Sequence, residues 1–223
     1  MRIVVFGATG LIGQGVLQQA LADPEVEEVL VVVRRRIESS SPKLRQLVHE
    51  DFMDLEPLAD ELADLDACLW CLGTSSAGHD EASYTRITYE LTMAAAEVLR
   101  RRSPGLCFCF VSGAGTDTNG RAMWARVKGK TEDALEAMGL GRVVLLRPGF
   151  IRPLPGVWPR DTLYRVMHPL AMGLYPLLRL LGGATSSVEI GKAMLAAARG
   201  MGDQERLGSK EINALARRYD ARE

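Results

Sequence analysis

The stretch Arg2-Ile3-Val4-Val5-Phe6-Gly7-Ala8-Thr9-Gly10-Leu11-Ile12-Gly13 decides the fold. Ile3 to Phe6 form an apolar run of strand length, rich in the β-branched and aromatic side chains that suit a strand buried on both faces. The run stops at Gly7. From Gly13 onward, apolar residues recur with helical spacing through Val16, Leu17, Ala20 and Leu21. Strand, glycine turn and helix in this order make an anion cradle. Gly7 allows the tight turn, Gly10 lets a phosphate approach the backbone with no Cβ in the way, and Gly13 permits close helix-to-strand packing. Thr9, Leu11 and Ile12 complete the turn, whose free N–H groups and helix dipole stabilise a pyrophosphate. A glycine-rich turn without a ligand has the same composition. The position of this one on the first strand of an alternating chain favours the dinucleotide reading.

A second strand is expected at 28–33, and it runs straight into Arg34-Arg35-Arg36. Sites selective for NAD carry an acidic side chain about 20 residues beyond the glycines, where it bonds the ribose 2′-hydroxyl. Here Arg34 and Arg35 hold that place. A carboxylate would repel a 2′-phosphate, whereas guanidinium groups bind it, so the expected cofactor is NADP(H). The plain alternative is a solvated basic loop.

Working outward, further strands are expected near 47–50, 66–72, 106–112 and 142–147, with helices near 11–22, 82–102 and 121–138. Such alternation implies a doubly wound parallel α/β sheet, the Rossmann fold. Asp80 suits a helix N-cap, Gly139 and Gly141 a helix stop, and Ser186-Ser187-Val188-Glu189 a capping box opening a helix to about Arg199. The 223 residues are expected to form a single domain, 1–223, with a short, mostly helical C-terminal portion. Within it, about 151–185 reads as a substrate-side helical insertion.

The 27 Lys plus Arg nearly balance the 28 Asp plus Glu, so no global field recruits nucleic acid or an anionic membrane. The first apolar run is too short for a secretory signal, and a cytoplasmic location is expected. The segment 163–182 is apolar, but Arg165, His168, Pro169, Pro176 and Arg179 interrupt it, so no membrane span is expected. It reads as helices covering a substrate cleft, or as a surface for a protein partner. Cys68, Cys71, Cys107 and Cys109 have a spacing that a zinc site could use. They lie in strand-like runs, where positions three apart face opposite ways, and this favours buried thiols and no metal.

Gly7-Ala8-Thr9-Gly10-x-x-Gly13 and Arg147-Pro148-Gly149 after a late strand resemble the atypical, extended-like short-chain dehydrogenase/reductase superfamily. With Arg34-Arg35, Cys71-Leu72-Gly73-Thr74 and Val127-Lys128-Gly129 added in order, the chain looks like the Tat-interacting-protein type of oxidoreductase and its bacterial relatives over about residues 1–200. The resemblance implies that Asp51 and Phe52 border the adenine and that Leu72, Gly73 and Thr74 line the cofactor path. Pro148 and Gly149 would border the nicotinamide. Ser112 would orient a substrate carbonyl, and Lys128 would hold the nicotinamide ribose.

One departure stands out. The family's tyrosine lies one helical turn before the lysine, and here that place is Trp124. Indole can donate a hydrogen bond but cannot cycle a proton, so it cannot serve as general acid. Tyr84, Tyr89, Tyr164 and His79 are conceivable substitutes, each also readable as packing or surface. Two readings stay open: an NADP(H)-dependent oxidoreductase acting on a small carbonyl or conjugated substrate, and a non-catalytic NADPH-binding regulator. A nucleotide-sugar epimerase is a weaker third, because it too needs a base at the tyrosine place.

Overall fold

A computed structural model describes residues 1–157 and 173–221. Seven strands form one sheet in the order β3-β2-β1-β4-β5-β6-β9, and every neighbouring pair is parallel. They are β1 (Arg2–Phe6), β2 (Glu28–Val33), β3 (Leu44–Val48), β4 (Ala67–Trp70), β5 (Cys107–Val111), β6 (Arg142–Arg147) and β9 (Arg206–Gly208). The strand order reverses direction between β1 and β4, and the crevice beyond the carboxyl ends of these strands is where such sheets bind ligands.

Side-chain alternation divides the core into two layers. Ile3, Val5, Val29, Val31, Leu69, Cys109 and Leu146 face α1 (Gly13–Ala22), α6 (Ser187–Ala198) and α7 (Ser209–Asp220). Val4, Phe6, Leu30, Trp70, Phe108 and Leu145 face α3 (Leu91–Arg102) and α4 (Met123–Ala137). Cys68 lies in the second layer and Cys71 packs against the first, so the two thiols are on opposite faces. α1 and α6 touch through glycines: a Cβ on Gly191 would come within 3.0 Å of Val16 Cα. The open ends of these helices are tied by Asp23, buried at the end of α1, which accepts from Arg199 at 2.5 Å and from the Tyr219 hydroxyl at 2.5 Å.

Several sequence expectations shift. The third strand lies at Leu44–Val48, earlier than 47–50, because its pairing with Val29–Val33 overrides the polar Arg45 and Gln46. The helix expected at 82–102 is α2 (Glu81–Thr85), a π turn (Arg86–Glu90) and α3 in succession. Asp80 caps α2 by accepting from Ser83 N–H at 2.8 Å. Ser186 caps α6 by accepting from Glu189 N–H at 3.2 Å.

The C-terminal portion contains strands that periodicity did not reveal. β7 (Phe150–Arg152) and β8 (Ala184–Ser186) pair in parallel as a separate two-stranded sheet, and β9 extends the main one. The apolar stretch 163–182 falls largely outside the described residues, as does Tyr164. Its described end is helical over 173–180, here α5, and exposes Leu174, Leu177, Leu180 and Leu181 while burying Tyr175. No described helix is long and apolar enough to cross a membrane.

Candidate functional site

The glycine turn is built as the spacing requires. Gly7 adopts φ +75°, a conformation that disfavours any side chain, and a Cβ there would also lie 2.6 Å from the Cys71 and Leu72 backbone. A Cβ on Gly13 would collide with the Gly7 carbonyl oxygen, so α1 can start only this close to β1 if residue 13 is glycine. Gly10 N–H donates to Gly7 O at 2.9 Å and closes the turn. Among the described residues, the N–H groups of Leu11 and Ile12 have no acceptor. Ile12 is the N-cap of α1 and offers no side-chain cap, so an external anion can fill that role. These unpaired donors and the missing Cβ atoms fit a dinucleotide pyrophosphate. Thr9 is exposed at the crest, and its carbonyl accepts from the Gln14 side chain at 3.2 Å.

Arg34, Arg35 and Arg36 follow β2 directly, all exposed, and none has a hydrogen bond or ion pair among the described residues. Asp51 spends one carboxylate oxygen on Met53 N–H at 2.9 Å, and Phe52 meets Phe6 edge-on at 6.2 Å between ring centroids. After β4, Cys71 N–H donates to Phe6 O at 2.9 Å, placing Leu72 against the glycine turn. Gly73 faces open space, and the Thr74 hydroxyl lies 3.4 Å from His79 Nε2.

The other half of the site gathers at the ends of β5 and β6. Ser112 N–H donates to Leu146 O at 2.7 Å, and Ala114 N–H donates to Pro148 O at 2.9 Å, so the loops after the two strands are stitched together. The Trp124 indole lies over this loop, 3.6 Å from where a Cβ on Gly113 or Gly115 would be. It thus covers the Gly113–Gly115 loop that follows Ser112, from the sequence position that the resemblance assigns to a tyrosine. Gly149 has a more structural setting than a cofactor border requires: its N–H donates to Ser209 Oγ at 2.9 Å, and a Cβ there would collide with Gly183 O.

Two side chains that the resemblance assigns to the reaction are bonded within the chain. Lys128 Nζ donates to the carbonyls of Val111 at 3.0 Å and Ser112 at 3.2 Å and rests 5.5 Å from the Phe110 ring centroid. Burial pushes its ammonium down to about 8, with the Glu132 charge one turn on opposing the shift. Ser112 is buried, its hydroxyl 2.9 Å from that of Thr116. Thr116 has one hydroxyl proton and gives it to Gly113 O at 2.8 Å, so Ser112 is the donor within the pair. Its proton is thus already directed away from a substrate carbonyl.

Sequence reasoning missed Thr116 and Glu132. The glycines of Ser112-Gly113-Ala114-Gly115-Thr116 were the available signal for a tight loop that turns a second hydroxyl back onto the first. Glu132 is almost fully buried and receives two bonds from Arg147 Nε at 3.0 and 3.1 Å, so the arginine of Arg147-Pro148-Gly149 anchors α4 to β6. Of the alternative proton donors, Tyr84 is buried and Tyr89 half-buried on the helix flanking α4, while His79 sits between Thr74 and Ser83.

A family model described as NAD(P)H-binding matches residues 7–161. "Protein FMP52, mitochondrial" of Eremothecium gossypii is 33% identical over 153 residues, 68% of this chain and 66% of that protein. The match thus spans just under two thirds of that relative. "Protein fmp52-2, mitochondrial" of Aspergillus oryzae is 27% identical over 212 residues, 92% of this chain and 90% of that protein. Among solved structures, a double mutant of the dTDP-glucose 4,6-dehydratase DesIV from Streptomyces venezuelae, with NAD bound, superposes with a TM-score of 0.67 at 19% identity. It covers 98% of this chain and 80% of its own. The UDP-glucose 4-epimerase of Thermotoga maritima gives 0.65 at 17%, covering 98% and 82%. These two likenesses speak to the fold.

The relatives overturn the expected cytoplasmic location, because they are named mitochondrial. The missing apolar signal run argued only against secretion, and an organelle needs no such run. The family match reaches the level of NAD(P)H binding and does not extend to the narrower Tat-interacting-protein type. The chain belongs to the NAD(P)H-binding family, whose model covers residues 7–161, and it carries that family's function on a Rossmann-like fold shared with the solved structures above.

Proposed function

We propose that the protein is an NADP(H)-dependent oxidoreductase of a small, largely apolar carbonyl or conjugated substrate. The observation that carries this reading is the set of unspent donors at the carboxyl end of the sheet. Leu11 and Ile12 N–H suit a pyrophosphate, and Arg34 and Arg35, without partners among the described residues, suit a 2′-phosphate. When bound there, the nicotinamide supplies a hydride. The chain's own part is positional: the loop Ser112–Thr116 and the Pro148 turn form the floor, and Trp124 offers a flat apolar face against which a conjugated substrate stacks. Lacking a phenol at Trp124, the site draws its proton from solvent. The test is NADPH oxidation across aldehydes, ketones, quinones and flavins. Turnover of at least one supports the reading, and tight NADPH binding with no turnover overturns it. Trp124→Tyr should add carbonyl reduction.

The second reading is a non-catalytic NADPH-binding regulator. It is favoured by the internal use of the Ser112 proton and the Lys128 ammonium described above. The exposed leucines of α5 would then serve a protein partner. An epimerase-like reaction has only the shared fold behind it.

A further inference from the structure

A cavity of about 790 Å³ opens one short strand beyond the Pro148-Gly149 turn, and neither the glycine turn nor the Ser112–Trp124 region contributes to its walls. It lies past the end of β7, about 10 Å along the strand from Gly149, between the start of α6 and the second half of α7. Its volume suits a drug-sized molecule. Pro153, Leu154 and Val157 make one apolar wall and Val188 and Ala216 another, so most of the surface rewards burial of hydrocarbon.

The charges around this space do not cancel. Glu189 is bound by Arg179, whose Nη1 donates to Oε2 at 2.9 Å, and Asp220 is bound by Lys192 at 2.5 Å. Arg152 and Arg217 also line the cavity, and neither has a hydrogen bond or ion pair to a carboxylate among the described residues. Arg152 is nonetheless held in place. Its guanidinium lies 4.7 Å from the ring centroid of buried Tyr175, and the Tyr175 hydroxyl accepts from Arg179 Nη1 at 2.9 Å. Arg152 also acts on Glu189 from beyond ion-pair distance, but that carboxylate is already bound by Arg179, so the lining holds four cations against two carboxylates. This cationic excess, with one guanidinium pre-positioned by stacking over an apolar floor, amounts to a receptor for a small amphipathic anion.

We propose that this cavity binds a small molecule with an apolar body and a single acidic head, carboxylate or phosphate, the head taken by Arg152 and Arg217 and the body laid against the Pro153–Val157 wall. The site is independent of the nucleotide, so cofactor and anion bind together.

The test is calorimetric titration of the full chain with octyl phosphate and octanoate, with and without saturating NADPH, alongside octanol and inorganic phosphate. Octyl phosphate or octanoate should bind at least tenfold more tightly than both controls, and the tighter of the two names the head group. Arg152→Ala with Arg217→Ala should weaken that binding at least tenfold while leaving NADPH affinity unchanged. If the double variant does not fold, Arg152→Lys, which keeps the charge but loses the planar fork, should weaken it by a smaller factor, and raised ionic strength should weaken it in the unaltered protein. Octanol binding as tightly, unchanged affinity in these variants, or mutual exclusion with NADPH would overturn the proposal. Failure of NADPH itself to bind would count against the proposed function and leave this titration interpretable.

Discussion

At the end of β1 the polar groups point outward with nothing to bind, whereas at the end of β5 they are bound to one another. Leu11 and Ile12 N–H and Arg34 to Arg36 have no acceptor among the described residues, while Ser112 is engaged by Thr116 and Lys128 by two backbone carbonyls. Unpaired donors cost little where water reaches them, and they gain fully when an anion arrives. The Ser112 proton must leave Thr116 before it can serve a substrate, whereas the Lys128 ammonium spends two of its three N–H donors and keeps one. Holding the nucleotide therefore requires no rearrangement of this chain, and donating the Ser112 proton does.

The largest expected effect breaks the first half. In Gly13→Ala the new methyl meets the Gly7 carbonyl, which is backbone and cannot rotate away, so the turn must open. A displacement of this kind should lower NADPH affinity about a hundredfold or more, read by fluorescence titration. Gly105→Ala, before the start of β5 and away from the nucleotide turn, is the matched control: nothing lies near that Cβ, and affinity should hold.

Next comes Arg34→Ala with Arg35→Ala. At this exposed, solvent-screened position the two charge-assisted bonds together contribute about 1.5–3 kcal/mol, so NADPH affinity should fall roughly ten- to 150-fold, with little change for NADH. Equal losses for the two would remove the 2′-phosphate from the comparison.

Those two effects also mark what could be read in the sequence. Glycines act through absence and backbone, and the basic run acts through net charge, so both survive translation into a spacing rule. The β1–α1–β2 unit and β6 were legible for the same reason, since their apolar runs carry strand and helix periods. β7, β8 and β9 have three residues each, too few to show a period, and they are defined by partners far along the chain. Lys128 was placed correctly one turn after Trp124 on α4. That its ammonium turns onto Val111 and Ser112 depends on how α4 leans on β5, which no local pattern encodes. The anion cavity is likewise assembled from β7, β8, α6 and α7, and its charge imbalance is visible only once the ion pairs are known.

A smaller effect tests whether Lys128 is spent. With its value near 8 in the fold and an ordinary value of 10.5 when unfolded, the unfolded chain holds the extra proton between those limits. Stability should therefore rise with pH from about 8 to 10.5, by at most about 1.4 kcal/mol per pH unit. Lys128→Met should abolish that rise in urea-unfolding series. If cofactor binding draws the ammonium out towards a ribose, saturating NADPH should flatten the rise in the unaltered protein as well.

The smallest effect addresses Ser112 directly. Thr116→Val removes the acceptor of the Ser112 proton and the donor to Gly113 O, so stability should fall by about 1 kcal/mol. The freed Ser112 hydroxyl can then turn towards the space under Trp124. Should the protein reduce a carbonyl, Thr116→Val would raise kcat and leave KM for NADPH unchanged, while Ser112→Ala would lower kcat. In the regulator reading neither change produces turnover, and the two variants differ only in stability. Turnover thus discriminates between the readings, and the sign of the rate change reports the role of the hydroxyl pair: a fall in kcat for Thr116→Val would show that the pair holds Ser112 in its working orientation.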